Sequence, residues 1–463
     1  MNKINVLQIA DRLGIGGSEK VLQTFTECLD KSFFDVSVCG IFDGGVRAEN
    51  LNAYGIQTHI VHNQMDELAK LMRDKRIHIV HMHRSGGEQP FAIHAARKAG
   101  VPVIIETNVF GLHDHSETGR SIDMHLLISK TVALKYLQNA GISMVDFVKN
   151  NRVLYNPVDV KKFQRYGGQT EKESDQFRSI IGIEKNVPII ARVGRPDITK
   201  WSRFSIDMLT HLIRKLPEAK YLIIGGIPAQ IKKKIEKSHI RKNIVDIGFL
   251  SEKDLITAYH TIDILAHSSW IGESFGLTIA EAMASGKTVV VNSTPWADNA
   301  QIELVDNGVT GFVANTPRTY ADAIAYLIEN KKEAALMGVA AYAKVTKEYE
   351  AKKITNVLEK TYVELLEKKS RNVYQAIIKK YENVDYYPTD IELLNYSKEY
   401  KERLLNQFGR PTFSEKLSLE LNYHGGLRSL KHRTERECNK WFHFSRYKSI
   451  TKTSIRKQEM NAN

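Results

Sequence analysis

At 463 residues, with 42% hydrophobic and 26% charged side chains, the chain is long enough for two ordinary domains plus extra, and its composition is that of a globular protein. No apolar run approaches the roughly 18 residues that a membrane span needs, and three scattered cysteines, Cys28, Cys39 and Cys438, argue against a disulfide scaffold and a structural zinc site. The formal net charge of +13 points to acidic partners, among them nucleotide phosphates, anionic lipid and nucleic acid, without choosing among them.

In chain order, MNKINVLQIADRLGIGG reads as a buried strand breaking into a glycine loop and lacks the features of an export signal. With the unpaired cysteines, this sets the expectation of a reducing, cytoplasmic location. A helix over Glu19 to Leu29 follows, then DVSVCGIF, IHIVHMH, a helix through FAIHAARKAG, VPVIIET and MHLLIS. Short β-branched runs alternating with helices predict a parallel sheet covered on both faces, a doubly wound domain over residues 1–165. A polar, Gly-containing stretch follows from Gln164 to about Asn186. The alternation restarts with PIIARVG, a helix over Phe204 to Leu216, AKYLIIGG, NIVDIGF, DILAHSS, KTVVVNS and GFVAN, giving a second doubly wound domain over residues 186–345. Open sheets bind ligands at the carboxyl ends of their strands, so two such Rossmann-like domains are expected to face each other across a cleft. Residues 346–369 read as a strap helix, with Ile354, Val357, Leu358, Leu365 and Leu366 near helical spacing. From residue 370 to 463 the alternation stops and tyrosines become frequent. Residues 424–457 of this extension carry ten Lys/Arg against only Glu435 and Glu437.

The stretch ESFGLTIAEAMASGK places Glu273 in a loop after the strand DILAHSS and Glu281 in the helix that follows. At that helix start the amides of Phe275, Gly276 and Leu277 have no helical acceptors, and with the helix dipole they suit an anion. A carboxylate on each side can accept bonds from sugar hydroxyls; the plainer reading is one surface and one helix-facing glutamate. In VGRPDITK, Arg195 and Lys200 can clamp a diphosphate, although exposed cations are usually solvated. In RLGIGGSEK, Gly14, Gly16 and Gly17 let backbone approach phosphate or sugar, and a tight strand-to-helix turn explains them equally well.

Together GGSEK, NPVD at Asn156 to Asp159, GRxxxxK, ESFGLTIAE and DNGVTGF at Asp306 to Phe312 resemble, in type and order, the family 4 retaining glycosyltransferases of the GT-B fold. The resemblance spans residues 4 to 369, and the Glu273/Glu281 spacing is its most specific element. It implies an α/β protein of two Rossmann-like domains and a hexosyltransferase-type enzyme. Arg195 and Lys200 would hold the donor diphosphate, Glu273 the donor sugar hydroxyls and Glu281 the nucleotide ribose. Phe275, Gly276 and Leu277 would offer amides to sugar and phosphate, with Gly16 and Gly17 beside the transferred sugar. No cofactor is implied, the nucleotide-diphosphate sugar being a substrate, and without a suitable DxD pair no metal is expected.

Several residues depart from the pattern. The loop after VPVIIET reads NVFGLHDHSE where many members carry one histidine, so Asn108, His113 or His115 can fill that place, and the HDH triplet is a weak metal candidate. His81 and His83, alternating along one strand, read as structural. Trp201 replaces a common glycine after Lys200 and can reshape the diphosphate pocket, while Thr288 replaces a common proline without evident consequence. In STPWADNAQIEL, Trp296, Asp298 and Asn299 stand near the donor site and can help choose the sugar.

The leading expectation is transfer of a sugar from a nucleotide-diphosphate donor to a glycan, glycolipid or other glycoconjugate acceptor, in polysaccharide biosynthesis on the cytosolic side. The alternatives are a nucleotide-sugar epimerase of the same fold and a non-catalytic subunit that binds a nucleotide sugar or a partner enzyme. The basic, aromatic extension, with Trp441, Phe442, Phe444 and Tyr447 among its cations, suits an anionic membrane surface better than a specific nucleic acid.

Overall fold

The structure, a computed structural model, describes residues 3–408 except 165–167, 199, 202, 295–296 and 371–372. The chain divides into two compact units, the first formed by residues 1–159 with 349–397 and the second by 160–348 with the residues from 398 onward.

The first unit is built on seven parallel strands, β1 (Ile4–Arg12), β2 (Phe34–Asp43), β3 (Thr58–Ile60), β4 (Ile79–Arg84), β5 (Val103–Asn108), β6 (Met124–Leu127) and β7 (Asn151–Val153). Their order is β3-β2-β1-β4-β5-β6-β7. Every residue of β4 and β5 is buried, as near-continuous apolar runs require when helices cover both faces of a sheet. The second unit carries six strands, β8 (Ile189–Val193), β9 (Lys220–Ile224), β10 (Ile244–Asp246), β11 (Ile264–His267), β12 (Thr288–Val291) and β13 (Gly311–Val313), in the order β10-β9-β8-β11-β12-β13. Leu209, Tyr221, Ile223, Ile264, Val290 and Phe312 belong to its main core. Strand order reverses between β1 and β4 in one sheet and between β8 and β11 in the other. Two doubly wound Rossmann-like units are therefore present, as the alternation of runs predicts.

The joins differ from expectation. The polar stretch before Asn186, for which the sequence pattern predicts no element, contains the helix Gly168–Ile180, whose Phe177 is buried in the second unit. The helix expected over 346–369 is two helices, Lys331–Glu348 and Ala351–Lys369. Tyr349 and Glu350 break them apart, because the Val158 amide donates to the Tyr349 carbonyl (2.8 Å) and the Ala351 amide to the Val158 carbonyl (2.9 Å). Glu350 then caps the second helix by accepting from the Lys353 amide at 2.9 Å. That helix buries Ile354, Val357, Leu358, Leu365 and Leu366 within the first unit.

The extension expected to start at residue 370 is not a detached tail over its first part. The helices Gln375–Ile378 and Asp390–Phe408 follow; Tyr381, Tyr386 and Tyr396 are anchored on the first unit, while Tyr400 belongs to the second, where its hydroxyl accepts from Asn299 at 3.4 Å. Tyr381 donates to the fully buried Glu359 at 3.0 Å, Arg152 stacks 3.3 Å from the centre of the Tyr386 ring, and Tyr396 and Thr131 hydroxyls meet at 3.0 Å. A Tyr ring combines a large apolar area with a hydroxyl that needs a partner, and each of these has both.

His81 and His83 share one face of β4 and stack with ring centres 4.7 Å apart. His81 bonds the Tyr362 hydroxyl through Nδ1 (2.6 Å) and the Thr107 hydroxyl through Nε2 (2.8 Å). His83 Nε2 meets Gln8 Oε1 at 2.7 Å, and Gln8 donates back to Tyr362 at 3.2 Å. The pair is structural, joining the sheet to the Ala351–Lys369 helix. Burial pushes His83 down to about 3, and burial followed by the neighbouring His83 pushes His81 well below its ordinary value.

Unfolding lets these imidazoles take up protons that the folded state refuses, so stability is retained above pH 6.5 and falls as the pH drops from there toward 3. His83 alone accounts for about 2 kcal/mol of loss by pH 5. Urea unfolding at pH 7 and pH 5 checks this: the stability difference between the two pH values shrinks by roughly that amount in His83→Gln.

Candidate functional site

In the second unit the loops leaving β8 and β11 arise at the reversal of strand order, where open α/β sheets leave a crevice. The first loop carries Arg195 and Lys200, and the second carries Glu273. Lys200 Nζ lies 2.7 Å from Glu273 Oε2, so two residues 73 positions apart form one ion pair. The other carboxylate oxygen, Oε1, is 3.0 Å from His267 Nε2, and the Glu273 amide donates to Gln301 Oε1 at 3.0 Å. Burial by itself would raise the Glu273 carboxyl; the Lys200 charge and the bonded His267 outweigh it and hold the group at about 2. His267 is pushed down by burial and by the cations Arg192 and Lys200, against the pull of Glu273. Because the carboxylate only accepts, the imidazole is assigned as neutral with its proton on Nε2.

Beyond Glu273 the chain turns sharply into the helix Leu277–Ala284. Gly276 caps its start at φ 104°, a conformation that side chains rarely adopt, and a Cβ there would stand 3.0 Å from Ile279 Cδ1. Phe275 is buried and Leu277 half-buried, and the Ile279 and Ala280 amides donate to the Gly276 carbonyl at 3.0 and 3.1 Å. Glu281 is buried and accepts from the Tyr259 hydroxyl at 2.8 Å. Arg195 is exposed at the end of β8, and Trp201 is buried directly after Lys200.

The stretch STPWADNAQIEL braces the Glu273 loop. Ala300 N donates to the Glu273 carbonyl (2.8 Å), Ser274 Oγ donates to Asp298 Oδ2 (2.6 Å), and Gln301 donates to the Asn292 carbonyl and the Thr294 hydroxyl. A Cβ on Gly272 would fall 1.5 Å from the Asp298 carbonyl oxygen, so only glycine fits there. Asn299, expected as a sugar contact, is fully buried; its Oδ1 accepts from Thr294 N (2.8 Å) and Ser293 Oγ (3.1 Å). Its Nδ2 donates to the Tyr400 hydroxyl at 3.4 Å, so it ties the loop to the helix Asp390–Phe408 as well. Trp296 and the basic stretch 424–457 lie outside the described residues.

In the first unit, Gly16 is extended and caps the helix Gly17–Cys28. A Cβ on Gly16 would fall 2.1 Å from Glu19 Oε2, because that carboxylate folds back over the helix start. Asn108 is also fully buried, giving Nδ2 to Glu106 (3.0 Å) and to the Leu112 carbonyl (2.8 Å) while accepting from the Gly111 amide (2.9 Å). It pins its own loop. The HDH triplet does not converge on one centre: Asp114 pairs with Arg84 at 3.0 Å, whereas His113 bonds Tyr136 and stands edge-on to the exposed His115. Among the described residues no cluster of three or more His, Cys, Asp or Glu is placed to hold a metal.

Two sets of residues were missed in the sequence. His267 and Gln301 hold Glu273, and a histidine ending the apolar run DILAHSS six residues before a loop glutamate was a usable signal for the first. Arg84, Glu106, Asp114 and His125 form a buried ionic network: Arg84 Nε is 2.5 Å from Glu106 Oε2, and Glu106 Oε1 is 2.5 Å from His125 Nδ1. Only the fold brings them together.

Comparison with known proteins adds an independent observation. Residues 173–344 match the family model for glycosyl transferases group 1. A D-inositol 3-phosphate glycosyltransferase of Corynebacterium diphtheriae is 28% identical over 182 residues, 37% of this chain and 42% of that protein. A trehalose synthase of Thermococcus litoralis is 25% identical over 221 residues, 46% of this chain and 50% of that protein. The chain thus spans about two fifths to half the length of these curated relatives. Among solved structures, Anabaena HepE in complex with UDP superposes with a TM-score of 0.62 at 18% identity, covering 78% of this chain and 99% of that one. A glycosyltransferase from Rickettsia africae gives 0.65 at 20% identity, with coverages of 79% and 99%. At such identities the likeness is one of fold, and that fold is GT-B.

Arg84→Met leaves Glu106 and Asp114 buried without their shared cation. It is expected to cost about 3–5 kcal/mol, the usual penalty for breaking a buried ion pair from one side. Urea denaturation of the full chain reads this directly, with a loss below about 1 kcal/mol counting against the network.

Proposed function

We propose that this protein, whose residues 173–344 match the family model for glycosyl transferases group 1, is a retaining glycosyltransferase moving a sugar from a nucleotide-diphosphate donor to a glycan or glycolipid acceptor, in the cytoplasm. The observation that carries the reading is the 2.7 Å Lys200–Glu273 pair at the β8/β11 reversal, one turn from the helix start at Gly276.

The bond that breaks joins the anomeric carbon to the diphosphate, and the electrons go to the departing oxygen. The acceptor hydroxyl attacks the face the diphosphate leaves, and its proton passes to the leaving phosphate. Charge on that oxygen is the main barrier term. Lys200, Arg195 and the amides of Phe275, Gly276 and Leu277 are the groups assigned to meet it, each worth on the order of 10²- to 10³-fold, or roughly 3 to 4 kcal/mol. Glu273 stays ionised down to about pH 2, so across the working range it accepts hydrogen bonds from donor-sugar hydroxyls. Its bonds to Lys200 and His267 fix its direction beforehand, and in Glu281 we place the ribose contact. Gly16 and Gly17 are the proposed contacts of the transferred sugar.

Nucleotide release from a panel of nucleotide sugars, with and without acceptors, tests the reading. Lys200→Ala and Arg195→Ala are each expected to lower transfer about 100-fold; the exposed Arg195→Ala leaves the melting temperature nearly unchanged, whereas Lys200→Ala lowers it, because buried Glu273 loses its cation. A variant that transfers at the wild-type rate removes its residue from the donor site. Activity is expected to survive EDTA, because side-chain cations and helix amides are assigned the charge that a metal would carry; loss restored by Mg²⁺ or Mn²⁺ contradicts that assignment.

A further inference from the structure

Arg192 lies on β8, and its guanidinium is only 2% exposed. One terminal nitrogen donates to the Ser268 carbonyl at 2.5 Å, and the other to the Lys200 carbonyl at 3.2 Å. Ser268 begins the loop that carries Glu273, and Lys200 ends the loop that starts at Gly194. One side chain therefore ties together the two loops whose own side chains make the Lys200–Glu273 pair. Trp201 closes over it with its ring centre 4.6 Å from the guanidinium carbon, in the position after Lys200 where the sequence pattern leads one to expect glycine.

Burying a cation costs several kcal/mol unless a counter-charge compensates. Among the described residues no carboxylate lies within ion-pair distance of Arg192, and its Nε has no partner. Two carbonyl bonds and an aromatic face offset part of that cost. A neutral donor would tether the loops without the desolvation penalty, so the retained charge calls for an anion that acts on it from the site side. The Glu273 carboxylate is already matched by Lys200, and a bound diphosphate would bring the further negative charge.

We propose that Arg192 is a positioning residue for the donor site: its guanidinium sets the placement of Lys200 against Glu273 and supplies a permanent positive charge beneath the diphosphate. This rests on the transferase reading above. The geometry makes Trp201 part of the same device, since it shields the guanidinium from water and strengthens its field.

A double-mutant cycle on the full chain tests it, with UDP, GDP and ADP binding followed by calorimetry. Arg192→Lys keeps a charge but not the two-carbonyl fork, and Arg192→Gln keeps a donor but not the charge. Arg192→Lys, which loses only the fork, is expected to weaken the tightest-binding nucleoside diphosphate at least fivefold in the wild-type background and less than twofold in Lys200→Ala, because its effect runs through Lys200. Arg192→Gln, which also loses the charge, is expected to weaken it at least fivefold in both backgrounds. Equal losses for Arg192→Lys in the two backgrounds overturn the proposal, and if that variant is too unstable to assay, unchanged binding in Arg192→Gln overturns it. A wild-type protein that binds none of the three nucleotides sinks the transferase reading itself and this inference with it.

Discussion

A carboxylate cannot be buried without partners, and the second unit is organised around meeting that demand at Glu273. Lys200 comes from the loop after β8, His267 from the end of β11, and Gln301 from beyond β12. Each partner fixes one segment relative to the same side chain. The sheet supplies the roots of these loops, the reversal of strand order supplies the gap, and the ionised carboxylate supplies the reason that the loops settle in one arrangement. In this state Lys200 is occupied by Glu273. On the proposed reading, a ligand diphosphate would meet a cation already aimed, at the cost of competing with the carboxylate for it.

What could be read from the sequence follows from range. Parallel strands are visible because each is a local apolar run, and the Glu273/Glu281 spacing is visible because eight residues span one loop and the first turns of one helix. Asn108 and Asn299 show the limit. An asparagine amide serves a neighbouring backbone amide as well as it serves a sugar, and composition does not separate the two uses. Asn108 bonds within its own strand end and loop, and Asn299 divides its amide between its loop and the Tyr400 hydroxyl. The HDH triplet does not gather around one centre, since Asp114 is paired with Arg84, thirty residues earlier.

The segment after residue 370 was illegible for a different physical reason. Its tyrosines follow neither strand nor helix periodicity, so they look like surface. Yet Tyr381, Tyr386 and Tyr396 each pair a ring face or hydroxyl with a residue far away in the chain, Glu359, Arg152 and Thr131. Aromatic anchoring of this kind specifies a docked segment through a few large contacts rather than through a repeating pattern.

The division of the first unit into residues 1–159 and 349–397 also orders events during synthesis. His81, Gln8 and Thr131 leave the ribosome early, but their partners Tyr362 and Tyr396 are made only after residues 160–348 have been translated. At elongation rates of about 5–20 residues per second, the nascent first sheet waits on the order of ten seconds or more with its histidine face uncovered. The part of the chain that begins first is thus among the last to be completed, and it is the interval in which a chaperone would find that face open.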